Sequence, residues 1–289
     1  MTGDPVVRSP VGCVAVTGRI LVTGATGHLG RRVAELATDL GWQVVGTYHT
    51  TAADTADERL DVRDRAAVRR LIERVRPSAV VHTAAGREDW RVIADGAAHV
   101  AVAAAATGAR LVHVSSDAVF SGKDVHYDEA SLPDPVYAYG AAKAAAETAV
   151  RAVAPDAAVV RTSLIVGYGR GGHEVLTHEL ASGRRGGVLF TDQIRRPVHV
   201  DDLAGALLEL ATNGYAGVLN VAGSDAVSRY ELAVLIARRD GLDPDRLPAG
   251  RIADLGRPAP TDVRLRTDKA ASLLSTRLRG AQEFMATGS

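Results

Sequence analysis

The chain has 289 residues, enough for one large hydrophobic core and a smaller satellite. Apolar residues make up 46% and charged residues 24%, and 34 basic residues balance 34 acidic ones, so nothing in the composition indicates a nucleic-acid partner. The basic pairs Arg184-Arg185 and Arg195-Arg196 are short, and we interpret them as solvated surface. The single cysteine, Cys13, excludes an intrachain disulfide framework and favours a reducing compartment, so we expect a cytoplasmic location.

Short β-branched runs alternate with longer amphipathic stretches rich in Ala and Arg, the pattern typical of parallel strands joined by crossover helices. The first part of the chain, residues 19–166, is therefore predicted to be an α/β domain with a doubly wound parallel sheet. Its strands are predicted at Ile20–Val22, Gln43–Thr47, Ala79–His82, Leu111–Ser115 and Val159–Thr162, and its helices begin near Leu29, Arg65, Val92 and Tyr139.

The pattern becomes less regular after Gly167, with Gly-rich turns between the remaining elements. Helices are predicted at Asp202–Ala211 and Ser228–Arg239, and a strand at Val218–Val221. We interpret residues 167–289 mainly as a smaller C-terminal substrate-binding lobe, part of which returns to the main sheet. Residues 1–18 are interpreted as an N-terminal extension, because their apolar run is too short to cross a bilayer.

Three glycines, Gly24, Gly27 and Gly30, follow the first predicted strand directly and open the first helix. Glycine allows a tight turn and a close approach of backbone to a pyrophosphate, and free N–H groups at a helix start attract that anion. A simple strand-to-helix turn is the alternative. The motif in this context predicts a Rossmann-type dinucleotide site, with contacts from Gly24, Thr26, Gly27, His28, Leu29, Gly30 and Arg31.

A second group of residues is predicted to hold the adenosine half of the cofactor. Asp61 can accept a hydrogen bond from the adenine amino group while Val62 packs on the ring, although Asp61 could instead cap the helix near Arg65. No acid follows the second strand, so NADP(H) is favoured and NAD(H) is the alternative. His49 and Arg31 are candidate partners of a 2′-phosphate or ordinary surface residues. Small residues ending the next strand would let the cofactor lie flat: Ala84, Ala85 and Gly86.

The reacting centre is predicted from Tyr139, Lys143 and Ser116. A spacing of four places Tyr139 and Lys143 on one helical face, and Ser116 ends a predicted strand. A protonated lysine beside a phenol should lower the tyrosine pKa from its usual value near 10, which makes proton donation to a carbonyl oxygen feasible. Ser116 would hydrogen-bond the same oxygen.

With these motifs the chain resembles the extended short-chain dehydrogenase/reductase family, and within it the dTDP-4-dehydrorhamnose reductases. The resemblance covers most of residues 19 to 275. It implies hydride transfer from NAD(P)H to a sugar carbonyl, with Tyr139 supplying the proton, Lys143 binding the nicotinamide ribose and Ser116 polarising the carbonyl. It rests on Gly24/Gly27/Gly30, on Leu60-Asp61-Val62, on residues 115–122, on Tyr139/Lys143, on Arg161-Thr162-Ser163, on Asp192-Gln193 and on residues 196–204.

Three departures from the family pattern bear on the substrate. Leu164 and Val166 stand where the rhamnose-forming enzymes usually carry a Trp and a Tyr, which removes a sugar-stacking surface. Residues 93–95 contain no asparagine of the kind often found before the Ser strand, and Ala118 follows Asp117 where dehydratases need Glu. We therefore expect reduction without dehydration, on a polar and nucleotide-linked substrate. The residues expected to contact it are Ser116, Asp117, Val119, Arg161, Ser163, Leu164 and Arg196, with the turn of residues 192–196.

A second interpretation is a non-enzymatic NADP-binding regulatory subunit resembling the β subunit of methionine adenosyltransferase. The intact Ser116, Tyr139 and Lys143 set favours the enzyme, although fold alone does not establish function. The expected partner is a small-molecule carbonyl compound, with no nucleic acid, no membrane and no metal site. A homodimer is also expected, since helices such as 138–153 form dimer faces in this family.

Overall fold

The computed structural model describes residues 18–86, 89–256 and 258–286. The predicted N-terminal extension therefore lies almost entirely outside the described residues. The strands are β1 (Arg19–Thr23), β2 (Gln43–Tyr48), β3 (Glu58–Arg59), β4 (Ala79–His82), β5 (Arg110–Ser116), β6 (Val125–Tyr127), β7 (Ala158–Thr162), β8 (Ile165–Val166), β9 (Leu189–Phe190), β10 (Ile194–Arg195), β11 (Val198–His199), β12 (Gly217–Asn220), β13 (Val227–Ser228), β14 (Ala249–Gly250) and β15 (Val263–Leu265).

The main sheet has seven parallel strands in the order β12-β7-β5-β4-β1-β2-β3. This confirms the predicted doubly wound fold, and all five predicted strands of the first part are present. The strand order reverses between β1 and β4, where Ile20 pairs with both Val44 and Ala79. In such sheets a ligand binds beyond the carboxyl ends of the strands at this reversal, so the glycine loop lies at the expected position.

Helices cover both faces of the sheet. They are α1 (His28–Asp39), α2 (Arg65–Val75), α3 (Gly96–Thr107), α4 (Ala138–Val153), α5 (Gly172–Ala181), α6 (Val200–Leu210), α7 (Arg229–Arg239), α8 (Asp268–Leu273) and α9 (Ala281–Ala286). One apolar cluster joins α1 and α6 to one face, and a second joins α2, α3 and α4 to the other. Burial on both faces explains why the strands are continuous apolar runs.

Local sequence explains where several helices begin. The cap of α2 is Asp64, whose carboxylate accepts hydrogen bonds from the backbone N–H of Ala66 and Ala67, so the alternative role of Asp61 as this cap is wrong. Helix α7 begins with a capping box, in which Ser228 and Glu231 bond each other's backbone N–H groups. The helix predicted to begin near Val92 opens with a π-helical turn, Arg91–Asp95, which runs directly into α3.

The C-terminal part contributes to the main sheet and also builds a separate apolar layer. Strand β12 joins the edge of the main sheet beside β7, as expected for a segment that returns to the core. The other short strands form two-stranded pairs, including β10 with β13 and β9 with β14. Helices α5, α7 and α9 pack against these pairs over smaller apolar clusters. Among the described helices, none combines the length and apolar character needed to cross a membrane.

Candidate active site

The glycine loop has the geometry of a phosphate cradle. Gly24 adopts a φ of +71°, in the region that favours glycine. A Cβ at Gly30 would lie 2.2 Å from the Gly24 carbonyl oxygen, so helix α1 can pack this close to the loop only with glycine there. The loop turns on a hydrogen bond of 2.9 Å from the Gly27 N–H to the Gly24 carbonyl. A Cβ at Gly24 would lie 2.9 Å from Ala84 Cα, so a side chain at either position would disrupt the tight loop against which a pyrophosphate can lie.

A pocket of about 270 Å³ opens beside this loop on the β2 side. It is shaped for a flat ring, because small residues form one wall and the Asp61-Val62 segment the other. Most of the residues predicted to hold the cofactor meet here: Gly24, Thr26, Gly27, His49, Asp61, Val62, Ala84, Ala85 and Gly86. The structure therefore brings the ends of β1, β2, β4 and the segment after β3 to one place.

Asp61 is an ionised acceptor at the rim of this pocket. Hydrogen bonds from Arg63, including 2.9 Å from Nε and 2.8 Å from Nη2, hold the pKa of the Asp61 carboxyl well below its usual range. His49 Nε2 lies 3.5 Å from the same carboxylate. Arg63, which the sequence reasoning missed, thus places a cation near His49. The Asp61-Val62-Arg63 run itself contains the signal, since an arginine two residues after the adenine acid can fold back onto it.

His28, Leu29 and Arg31 lie elsewhere in the site. His28 and Leu29 do not line this pocket but a second cleft, the one that also contains Ser116 and Tyr139. Arg31 lines a third cavity, of about 690 Å³, with Arg32, Tyr168 and Arg170. The structure thus does not bring Arg31 to His49, because one turn of α1 carries it to the opposite side of the loop.

The reaction cleft is a groove of about 510 Å³ between the ends of β5 and β7 and the C-terminal lobe. Ser116 and Tyr139 line it together with Asp117, Ser163 and Leu164. Asp117 fixes the serine end of the cleft, since its carboxylate accepts hydrogen bonds from Ser163 Oγ at 2.6 Å and Ser116 Oγ at 3.2 Å. Of the two positions of the missing aromatic pair, Leu164 faces the cleft, whereas Val166 is fully buried.

Tyr139, Ser116 and Lys143 come together as predicted, but their electrostatics differ from the prediction. The Ser116 hydroxyl acts to lower the pKa of the Tyr139 phenol, and Lys143 Nζ lies 5.9 Å from the tyrosine ring centroid. Burial nevertheless raises the pKa of Tyr139, so the expected decrease toward neutral pH is wrong. The reason is that desolvation is the largest effect on the phenol, while Lys143 Nζ donates instead to the Val114 carbonyl oxygen at 3.0 Å.

Lys143 itself is strongly affected by its surroundings. It is almost fully buried, and burial lowers the pKa of its ammonium group to about 8, an effect that nearby Glu147 opposes. Tyr139 is therefore protonated at neutral pH, and the Lys143 ammonium group loses its proton just above neutral pH. The pair is suited to release a proton from the phenol and to restore it from the ammonium group.

Three of the residues expected to contact substrate are not brought to the cleft. Val119 is fully buried in an apolar cluster with Phe120 and Tyr127. The Arg161 guanidinium is buried in an ion pair with Glu147. Arg196 donates to the carbonyl oxygens of Leu265 and Ser224, at 2.7 and 2.6 Å. In each case packing or internal hydrogen bonds use the group that the substrate would need.

Arg195 and Gln193, in the turn of residues 192–196 that was expected to contact substrate, line the cleft. Two basic residues that the sequence reasoning did not assign to it, Arg229 and His173, line it as well. The interpretation of Arg195-Arg196 as solvated surface is wrong, because Arg195 is only 2% exposed and donates to the carbonyl oxygens of Thr261 and Pro260. The signal in the sequence was the position of Arg195 between two segments that carry the family resemblance, Asp192-Gln193 and residues 196–204. Arg184 and Arg185 are exposed, as expected. Tyr137 and Phe190 also line the cleft.

The fold and this site define the class: a Rossmann-type protein with the Ser, Tyr and Lys arrangement of the extended short-chain dehydrogenases/reductases. The chain belongs to the family described as "RmlD substrate binding domain", whose model matches residues 18–287.

Individual relatives point in two directions. The chain is 36% identical to the dTDP-4-dehydrorhamnose reductase of Mycolicibacterium smegmatis, over 80% of this chain and 72% of that protein. It is also 32% identical to methionine adenosyltransferase 2 subunit beta of Xenopus laevis, over 76% and 71% of the two chains. Among solved structures, the dTDP-4-dehydrorhamnose reductase of Bacillus anthracis in complex with NADP superposes with a TM-score of 0.82 at 24% identity, covering 94% of this chain and 98% of that one.

Proposed function

We propose that this protein is an NADPH-dependent reductase of a ketone on a nucleotide-linked sugar, such as a 4-keto-6-deoxy sugar nucleotide. One observation carries the proposal: Ser116 and Tyr139 line a single cleft with His28 and Leu29, the residues that begin the helix after the glycine loop. A dinucleotide along the loop would therefore bring its reactive end to the same cleft as the proton donor. The similarity to a dTDP-4-dehydrorhamnose reductase and to a dTDP-4-keto-6-deoxy-D-glucose reductase supports the substrate class.

The residues present fit a dinucleotide cofactor. The turn at Gly24 and Gly30 is too tight for any Cβ, and the small residues Ala84, Ala85 and Gly86 line the adjoining pocket. We infer that the loop holds the pyrophosphate, that Asp61 and Val62 hold the adenine, and that Lys143 with Tyr139 contacts the nicotinamide ribose. When bound, this cofactor supplies the hydride.

The side chains of the protein itself supply the proton in the reaction. Ser116 donates a hydrogen bond to the substrate carbonyl oxygen and orients it toward Tyr139. Tyr139, which its raised pKa keeps protonated, gives its phenolic proton to that oxygen as the alcohol forms. The ammonium group of Lys143 stabilises the resulting phenolate and restores its proton. Because no glutamate follows Asp117, the chain lacks the base that dehydration in this family uses.

We propose NADP(H) as the preferred cofactor, with NAD(H) as a weaker one. At the end of β2 no acid is present to hold both ribose hydroxyls, and the side chains at the pocket rim are His49 and, behind Asp61, Arg63. Both can contact a 2′-phosphate. The Bacillus anthracis reductase is described in complex with NADP, which supports this preference.

The competing function is that of an NADP-binding regulatory subunit, favoured by the similarity to methionine adenosyltransferase 2 subunit beta. Ser116 and Tyr139 line an accessible cleft, and Lys143 follows Tyr139 by one turn on helix α4, which favours the enzyme instead. A regulatory role predicts cofactor binding without turnover on any carbonyl compound.

The test is NADPH oxidation by the purified full chain with a panel of keto sugar nucleotides, with Tyr139→Phe as the matched control. Saturable turnover that the control lacks supports the proposal, and tight NADPH binding with no turnover on the whole panel rejects it. We expect dTDP-4-dehydrorhamnose to be a poor substrate, because Leu164 offers no ring for stacking. Turnover of that compound at ordinary enzyme rates would show that the lost aromatic pair does not matter.

The remaining features belong to the same proposal. We infer a cofactor domain over residues 19–166 and a substrate lobe over residues 167–289, with β12 returning to the main sheet. We also propose a cytoplasmic homodimer that uses the outer face of α4, where Val153 is 40% exposed. Light scattering of the purified protein tests the dimer.

A further inference from the structure

Arg229, the first residue of α7, lines the reaction cleft and is only partly used by its neighbours. Its Nη1 donates to His173 Nδ1 at 2.7 Å. His173 acts as the acceptor, since burial and the nearby Arg229 and Arg195 cations lower the pKa of this histidine well below its usual value. Arg229 Nε is shielded from solvent and has no hydrogen-bond partner within the described residues. The Nε and Nη2 edge of the guanidinium is thus unpaired.

The charges of the cleft do not balance. Among its described lining residues, the charged groups at neutral pH are Arg195 and Arg229 against Asp117, which leaves one positive charge in excess. Asp117 lies nearer to Arg195, at 3.4 Å from its Nε, and also accepts from Ser163. Burial lowers the pKa of Arg229 to about 10, with the Arg195 cation adding to the effect, so Arg229 is still charged at neutral pH. Arg229 is partly buried, and a guanidinium with an unpaired edge in such a site is stabilised when an anion completes it.

This unpaired edge lies close to the reacting centre. The charges of Asp117, Arg195 and Arg229 all act on the Tyr137 hydroxyl, and the Tyr137 ring centroid is 6.2 Å from that of Tyr139. Asp117 in turn contacts Ser116. A sphere with the cleft's volume would be roughly 10 Å across, the size of one sugar ring with its substituents. An anion at Arg229 would therefore belong to the same ring as the carbonyl that Ser116 and Tyr139 act on.

We propose that Arg229 binds a carboxylate carried by the sugar ring itself, so that the preferred substrate is a nucleotide-linked keto sugar acid. The proposal rests on the reductase function proposed above and adds the substrate's second polar group. A planar guanidinium presents pairs of N–H groups that match the two oxygens of a carboxylate, which is the geometry that arginine recognises best. The position beside the reacting centre distinguishes this group from the diphosphate, which must extend away from the ring toward the nucleoside.

The test uses two non-reacting ligands that share the diphosphate and differ at one carbon of the sugar: UDP-glucuronate and UDP-glucose. Binding of each to the NADP⁺-loaded full chain is measured by titration calorimetry. We expect the wild-type protein to bind the acid at least about tenfold more tightly, the effect of one charge-assisted bidentate contact. In Arg229→Gln the two affinities should become equal, with the affinity for UDP-glucose changed by less than about twofold.

Two further variants separate binding from folding. Arg238→Gln removes an exposed cation from the same helix outside the cleft and should preserve the wild-type preference. Arg229→Lys retains the charge but not the planar edge, and it should keep only part of the preference. This lysine variant replaces Arg229→Gln in the comparison if the glutamine variant does not fold.

Each other outcome overturns the proposal. Equal binding of both ligands by the wild-type protein would show that no carboxylate site exists. An equal loss of both ligands in Arg229→Gln would assign Arg229 to the diphosphate or to the shape of the cleft. If the protein reduces keto sugar nucleotides but binds neither UDP-glucuronate nor UDP-glucose, the proposed carboxylate site is rejected and the reductase function stands. Absence of both binding and turnover would reject the proposed function itself.

Discussion

Arg161→Met should destabilise the protein strongly and leave substrate affinity nearly unchanged. The resemblance to reductases suggested that Arg161 contacts substrate, but its guanidinium is buried and 1% exposed. Its Nε and Nη2 donate to the Glu147 carboxylate at 2.8 to 3.2 Å, and its Nη1 donates to the Ser131 carbonyl at 3.0 Å. Every donor group of this arginine is engaged inside the protein.

The magnitude follows from what remains after the substitution. Methionine fills much of the volume but leaves the Glu147 carboxylate buried. Among the described residues its one remaining hydrogen-bond donor is then Ser115 Oγ, at 2.6 Å. Breaking a buried ion pair in this way costs about 3–5 kcal/mol of unfolding free energy. For a domain of this size the melting temperature should fall by roughly 6–20 °C. Thermal unfolding followed by circular dichroism measures this change, and the KM for substrate should change by less than about twofold.

The double variant Glu147→Leu/Arg161→Met is the matched control. It removes both charges, so no ion is left unpaired, and we expect it to recover at least about 2 kcal/mol relative to Arg161→Met alone. The reasoning is refuted if Arg161→Met melts within a degree or two of the wild type while its KM rises tenfold or more. That result would show that Arg161 contacts the substrate.

Three further predictions concern the reaction. Tyr139→Phe should abolish reduction and leave the Kd for NADPH within about threefold of wild type, since it deletes the proton donor and keeps the ring; near-normal turnover would exclude Tyr139 as the acid. NADPH should bind more tightly than NADH in fluorescence titrations, and His49→Ala should reduce the difference; a clear preference for NADH contradicts the assignment of the 2′-phosphate site. Because the pKa of Lys143 is lowered to about 8, its ammonium form is lost as the pH rises through that value, so kcat should fall above about pH 8; a kcat that stays level up to pH 10 would show that the charge of Lys143 is not needed.

The sequence predicted the main sheet well because its strands are short, continuous β-branched runs buried on both faces, a pattern that needs no long-range information. The two-residue strands of the C-terminal lobe carry no such periodicity. The sequence also did not predict which individual polar side chains are buried. Arg229 reads as an ordinary first-turn residue of an amphipathic helix, and its role depends on His173, 56 positions earlier. Arg161, in contrast, stands inside an apolar strand, where a buried acid could have been expected.

The buried pair and the reacting centre are connected through helix α4. Tyr139, Lys143 and Glu147 are spaced four apart and share one face of this helix. Each contacts the end of β5: Tyr139 at Ser116, Lys143 at the Val114 carbonyl and Glu147 at Ser115. Arg161 on β7 holds the Glu147 carboxylate in place beside Ser115. Loss of the Arg161–Glu147 ion pair would therefore let α4 shift along β5. Since such a shift moves the phenol relative to Ser116 and leaves the cleft residues outside α4 in place, any loss of activity in Arg161→Met should appear mainly in kcat rather than in KM.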